Sequence, residues 1–198
     1  TVQGITRREL AFALGGVVAA GVPGSPAQGM NELHRSGATP LKLSLAAYSL
    51  RRYLEQGPDA PKAMDLLRFA ELAAEWGFDA VEPTSYYFPS DGLEKFVYQL
   101  KRHCFLLGLD VSGGAIRNNF TLGPGPELER EFAHVAEWVD RYAEIGAPVI
   151  RVFAGEPPQG MNHFEAIDNS VRNLQKACDA AGRRGVTLAL ENHDFLMN

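Results

Sequence analysis

Cysteine is scarce: Cys104 and Cys178 are the two in 198 residues, too few for a disulfide framework. Both fall in apolar helical stretches and are expected to be small buried residues. Basic charge is in deficit, with 19 Lys+Arg against 24 Asp+Glu and a net charge of −5. That balance argues against a nucleic-acid partner held by a basic patch. Beyond the N-terminal segment no stretch approaches the roughly 20 apolar residues of a membrane span, so stable membrane insertion is not expected. No Gly-x-Gly-x-x-Gly follows the first strand candidate, which removes the usual dinucleotide-binding signature. What is present, 45% hydrophobic and 22% charged residues, is the balance of an ordinary globular protein of one domain.

Residues 1–27 differ from the rest. Thr6-Arg7-Arg8 precedes an uncharged run from Leu10 to Val22, and Ser25-Pro26-Ala27 supplies small residues suited to a cleavage site. The run is too short to span a bilayer. The segment resembles a twin-arginine export signal, although Leu10 and Ala11 replace the usual Phe and Leu. This resemblance implies a bacterial protein exported folded to the periplasm or secreted. A linker over 28–40 and a domain over 41–198 follow.

From residue 41 one pattern recurs. Strand candidates at 41–50, 80–88, 109–116, 148–154 and 186–190 alternate with four helical stretches. The first helix, over 61–76, is expected to bury Met64, Leu67, Ala70 and Ala74. In the second, Val97, Leu100 and Cys104 belong to the apolar stripe, and Asp91 with Glu94 has the spacing of a capping box. In the third the stripe includes Leu128, Val135, Val139, Tyr142 and Ile145. In the fourth it runs through Phe164, Ile167, Val171, Leu174, Cys178 and Ala181. Gly77, Gly108, Gly146 and Gly185 each stand just before the next strand, where a left-handed residue turns the chain back. Such βα repeats predict a parallel sheet buried on both faces. Polar strand ends, one after another, favour a (β/α)8 barrel over a doubly wound sheet. Each unit takes roughly 36 residues, so eight units need a parent of about 300 residues. The expectation is a partial barrel of about five strands and four helices, inactive by itself.

A barrel's active site lies at the C-terminal ends of its strands. Those ends carry Tyr48, Glu82, Asn118, Arg151 and the run Glu191-Asn192-His193. Strand alternation puts Ala189, Glu191 and His193 on one face. A carboxylate and an imidazole there are costly to bury unless something binds them. Arg151 and Glu82 are candidates for holding an anionic or hydroxylated substrate, or for pairing with each other or with Glu191. Tyr48, Tyr86 and Tyr87 either wall the pocket or pack beneath the loops. His34, His103, His134 and His163 read as solvated.

Leu190-Glu191-Asn192-His193 resembles the metal-binding strand of the xylose isomerase-like barrel family. Ala47-Tyr48-Ser49, Val81-Glu82-Pro83-Thr84, Ser112-Gly113-Gly114-Ala115 and Ile150-Arg151-Val152-Phe153 add to the resemblance. It implies one divalent metal ion, Mn, Mg, Co or Zn, with Glu191 as its one ligand in this chain. It also implies a small carbohydrate substrate whose carbonyl is polarised so that a carboxylate moves the neighbouring proton. Glu191 and His193 are then the catalytic candidates, and Tyr48, Glu82, Asn118 and Arg151 the substrate-binding ones. The leading expectation is a sugar or sugar phosphate isomerase or epimerase. A non-catalytic sugar-binding barrel is the alternative. An endonuclease IV-like repair enzyme is opposed by the acidic charge and the export signal. A homo-oligomer is an open expectation.

Overall fold

The computed structural model describes residues 41–55 and 64–193. The expected export signal, the linker, His34 and the first turn of the 61–76 helix lie outside the described residues. Contacts divide the chain at Pro40–Leu41, and the described residues all belong to the second unit.

Six short strands and five helices follow in order: β1 (Ser44–Ala46), α1 (Arg51–Leu54), α2 (Leu66–Glu75), β2 (Ala80–Glu82), α3 (Leu93–Leu107), β3 (Asp110–Val111), β4 (Gly114–Ala115), α4 (Pro126–Ile145), β5 (Val149–Phe153), α5 (His163–Gly182) and β6 (Thr187–Glu191). All pairings are parallel. β1, β2 and β3 form one ladder and β4, β5 and β6 another. A bridge between Thr84 and Ala115 carries the first ladder into the second. Within each ladder every strand neighbours its predecessor, as in a barrel wall, whereas a doubly wound sheet reverses its order.

The third strand expected at 109–116 is broken in two. Between β3 and β4 stand Ser112 and Gly113, and Gly114 leaves its space to the ring of Tyr142 from α4. Tyr142 is fully buried. Its hydroxyl donates to Pro83 O at 2.8 Å and accepts from Ala115 N–H at 3.4 Å. One phenol thus reinforces two strand ends that the single Thr84–Ala115 bridge links.

Helix termini explain several boundaries. Asp65 caps α2, accepting from Leu67 N at 3.0 Å and Arg68 N at 2.9 Å, which starts the helix at Leu66. Its buried face is Leu66, Phe69, Ala70 and Ala73, one residue out of step with the expected stripe. The Asp91–Glu94 box does not form. Gly92 instead begins α3 with φ +70° and no side-chain cap. The four expected turn glycines do take positive φ, from +72° to +99°.

The strand expected at 41–50 pairs only over Ser44–Ala46. Tyr48 and Ser49 lie in a 3₁₀ turn that runs into α1. The 80–88 strand likewise ends at Glu82, and Ser85–Tyr87 forms a 3₁₀ turn. In the core, Ile150 and Val152 of β5 are fully buried. Each contributes about 1.5–3 kcal/mol by leaving water. Val97, Leu100 and Cys104 of α3 face the same core, as do Val135, Val139 and Tyr142 of α4.

α5 departs most from its pattern. Its buried residues are Ala166, Asn169, Ser170, Asn173, Ala177 and Ala181, while Phe164, Val171 and Cys178 are exposed. The inner face is polar because it meets loop carbonyls. Asn173 Nδ2 donates to Phe120 O and Leu122 O at 2.8 and 3.0 Å, and Asn169 Nδ2 donates to Thr121 O at 2.9 Å. Cys178 is therefore not the buried apolar residue expected, whereas Cys104 is.

Candidate functional site

The strand register stacks the inward-facing side chains. Ala115 lies beside Arg151, Arg151 beside Ala189, and Phe153 beside Glu191. At the C-terminal ends of the strands they open into a cavity of about 820 Å³. Tyr48, Glu82, Asn118, Arg151, Glu191 and His193 all line it. The alternation that put Glu191 and His193 on one face thus brings them to a shared pocket.

Arg151 organises the centre. Its Nε donates to Glu191 Oε2 at 2.9 Å, and Nη1 donates to Ile116 O at 2.9 Å. The guanidinium lies 4.0 Å from the centroid of Phe153, whose ring in turn lies 4.9 Å from that of His193. Of the roles open to Arg151, the ion pair with Glu191 is the one formed. Both partners keep some solvent contact, so the pair adds only about 1 kcal/mol to stability. Its larger effect is to fix the direction of the carboxylate.

Glu82 is partly buried. Burial holds its carboxyl above the ordinary carboxylate range, Arg151 opposes that rise, and the Glu191 charge adds to it. A carboxyl displaced toward neutrality beside a paired carboxylate suits proton transfer.

Asn118 lines the cavity and also braces the strand end: its Nδ2 donates to Phe153 O at 2.7 Å, and its Oδ1 accepts from Phe153 N at 2.8 Å. One bond at each end of the carboxamide fixes its direction and leaves a second N–H and a second lone pair. Tyr48 and Tyr86 wall the cavity. Tyr87 is buried, and burial pushes its phenol up to about 12. His134, expected in solvent, bonds through Nε2 with Arg117 O at 3.1 Å and packs edge-on to Trp138. His103 lies 3.3 Å from Glu71.

The polar strand ends also include Asn119 and Glu156, and how they join into a rim is seen only in the structure. Asn119 Oδ1 accepts from Thr121 N at 3.0 Å, and Asn119 Nδ2 donates to Glu156 O at 2.7 Å. Glu131 of α4 accepts from Asn119 N at 2.9 Å. Gly155, at φ +100°, lies so close to Asn119 that no side chain fits. The loop after β4 is thereby clasped to the loop after β5. The available signal was the polar run Asn169, Ser170 and Asn173 in mid-helix, where such residues need a reason.

Residues 70–198 match the family model described as the xylose isomerase-like TIM barrel. The chain belongs to this family. Solved structures share its fold. Protein SMc04130 from Sinorhizobium meliloti 1021 is 21% identical with a TM-score of 0.60, over 75% of this chain and 49% of that one. A D-psicose 3-epimerase from Clostridium cellulolyticum H10, solved with D-tagatose, is 18% identical with a TM-score of 0.61, over 80% and 54%. The IolI protein with a bound zinc atom is 18% identical with a TM-score of 0.55, over 76% and 51%. The chain spans about half the length of these solved structures. No curated protein sequence matches it.

A xylose isomerase-like barrel implies a divalent cation, and the donor chemistry here fits one in part. Glu191 offers a hard carboxylate oxygen at the strand end, the kind of ligand such cations take. Among the described residues no three His, Cys, Asp or Glu side chains converge on one point.

Proposed function

We propose that this pocket serves a metal-dependent sugar isomerase or epimerase that moves a proton next to a carbonyl. The supporting observation is the Glu82–Arg151–Glu191 group: two carboxylates, differently placed toward one guanidinium, at the strand ends of a xylose isomerase-like barrel. A bound cation would supply polarisation of the substrate carbonyl, and Glu191 would be its ligand here. Arg151 keeps the Glu191 carboxylate oriented by holding one oxygen while the other stays available. Glu82, with its raised carboxyl, takes or returns the migrating proton. Tyr48, Tyr86 and Phe153 offer apolar faces to the carbon skeleton and limit water at the reacting carbon.

The test is solvent exchange. In the full-length protein with Mn²⁺, D-tagatose or D-fructose in D₂O is expected to acquire deuterium at the carbon beside the carbonyl, read by NMR. Sugar binding without any exchange would leave a sugar-binding barrel in place of an enzyme.

The outer edges of β1 and β6 have no strand partner among the described residues, and Leu41, Leu43 and Leu190 are exposed near them. Bare edges recruit other chains. Residues 28–198 produced alone are expected to self-associate as concentration rises, which light scattering would detect. A monodisperse monomer with a cooperative melt would contradict this.

A further inference from the structure

Thr84 lines the cavity yet is 1% exposed. Its Oγ1 is buried and has no hydrogen-bond partner among the described residues. Strand alternation gives Thr84 the same face as Glu82, and across the bridge stands Ala115, whose side chain has no polar atom to offer. A hydroxyl in that position is costly to bury unless something reaches it. The surrounding charge limits what that is. Four carboxylates line the cavity, from Glu82, Glu131, Glu156 and Glu191, against two guanidiniums. Arg151 is engaged with Glu191 and Ile116 O. Arg117 rests on the Tyr86 ring, 5.6 Å from its centroid. A phosphate dianion entering here meets an excess of like charge. Sugar hydroxyls, by contrast, donate to carboxylates and accept from a threonine.

We infer that Thr84 is a substrate-contacting residue that hydrogen-bonds one hydroxyl of an uncharged polyhydroxy carbonyl compound in this cavity. The inference rests on the isomerase reading for its choice of ligand and adds to it both the recognising residue and the exclusion of phosphorylated sugars. The backbone of Thr84 bonds within the fold, its carbonyl accepting from Tyr87 N at 3.2 Å, but its hydroxyl bonds nothing among the described residues and so has no hydrogen bond of the fold to lose.

The experiment compares Thr84→Val and Thr84→Ser with the wild type in the full-length protein. The probes are D-fructose, D-tagatose and their 6-phosphates. Thr84→Val removes the hydroxyl at nearly constant volume. It is expected to weaken binding of the free sugars about tenfold, the order of effect of leaving a substrate hydroxyl unpaired. Its Tm should equal or exceed that of the wild type. Thr84→Ser should bind within about threefold of the wild type, because it keeps the hydroxyl. The 6-phosphates should bind at least about tenfold more weakly than the free sugars. Unchanged sugar affinity in Thr84→Val, a fall in its Tm, or tighter binding of a 6-phosphate would each overturn the inference. The two readings fail separately. Thr84-dependent sugar binding without deuterium exchange removes the isomerase and leaves this inference standing, whereas exchange indifferent to Thr84 does the reverse.

Discussion

Glutamine in place of Glu191 is expected to lower turnover of the full-length protein by about a thousandfold, the order of effect of a lost proton-transfer or ligand group, and to abolish its response to Mn²⁺. Glutamine keeps the size and one acceptor oxygen but loses the charge that a hard divalent cation requires. Added Mn²⁺ should raise the wild-type Tm and leave the variant's unmoved, because a ligand of the native state stabilises it in proportion to ln(1 + [L]/Kd). Without metal the variant also changes. Arg151 Nε loses its carboxylate partner at 2.9 Å and keeps Ile116 O and the Phe153 face. Since Glu191 is substantially exposed, that loss costs about 1 kcal/mol, or about 2–4 °C in Tm. Equal Mn²⁺-induced shifts in the two proteins would show that Glu191 is not a ligand.

Alanine at position 114 is expected to be strongly destabilising. Its Cβ would overlap the Tyr142 ring at Cδ1, Cε1 and Cζ. That ring cannot withdraw: it is fully buried, lies 5.6 Å from the Trp138 centroid and 6.2 Å from that of Phe88, and its hydroxyl is anchored on Pro83 O. Overpacking of a site that cannot relax costs about 3 kcal/mol, which corresponds to a Tm lowered by about 6–12 °C. The control is Gly182→Ala, at the end of α5, where an added Cβ meets nothing within 4 Å. It should be neutral or slightly stabilising. Melting curves read both, and a Gly114→Ala protein melting with the wild type would mean that Tyr142 has room to move.

Periodicity made the inner layer of the barrel legible. A run such as Val-Thr-Leu-Ala-Leu followed by Glu191 and His193 places alternate residues on one face, and the register with β5 agrees with it, although the expected burial of both faces is not seen in β6, whose residues are mostly exposed. The turn glycines were legible because positive φ restricts the choice of residue so strongly. α5 was misread for an equally physical reason. Apolar spacing was taken as the buried face, yet a helix lying over a loop must present donors to its carbonyls, so Asn169 and Asn173 turn inward and Phe164 turns out. The choice among partners for Arg151 rests on distances between strands, which spacing along one chain does not contain. Likewise the break at Ser112 and Gly113 depends on a tyrosine 28 residues further on claiming the space at Gly114.

The amides of α5 also bear on how this barrel can be recombined. A βα barrel invites exchange of single strand–helix units, with the junction placed in the turn after each helix. Here the loop after β4 depends on the next unit, because Asn169 and Asn173 satisfy the carbonyls of Phe120, Thr121 and Leu122. A chimaera joined at Gly146 would place a foreign helix over that loop and forfeit three hydrogen bonds, each worth about 1 kcal/mol. One joined at Gly185 carries loop and helix together. The smallest heritable piece of the pocket rim is thus a pair of units, from Gly114 through Gly182.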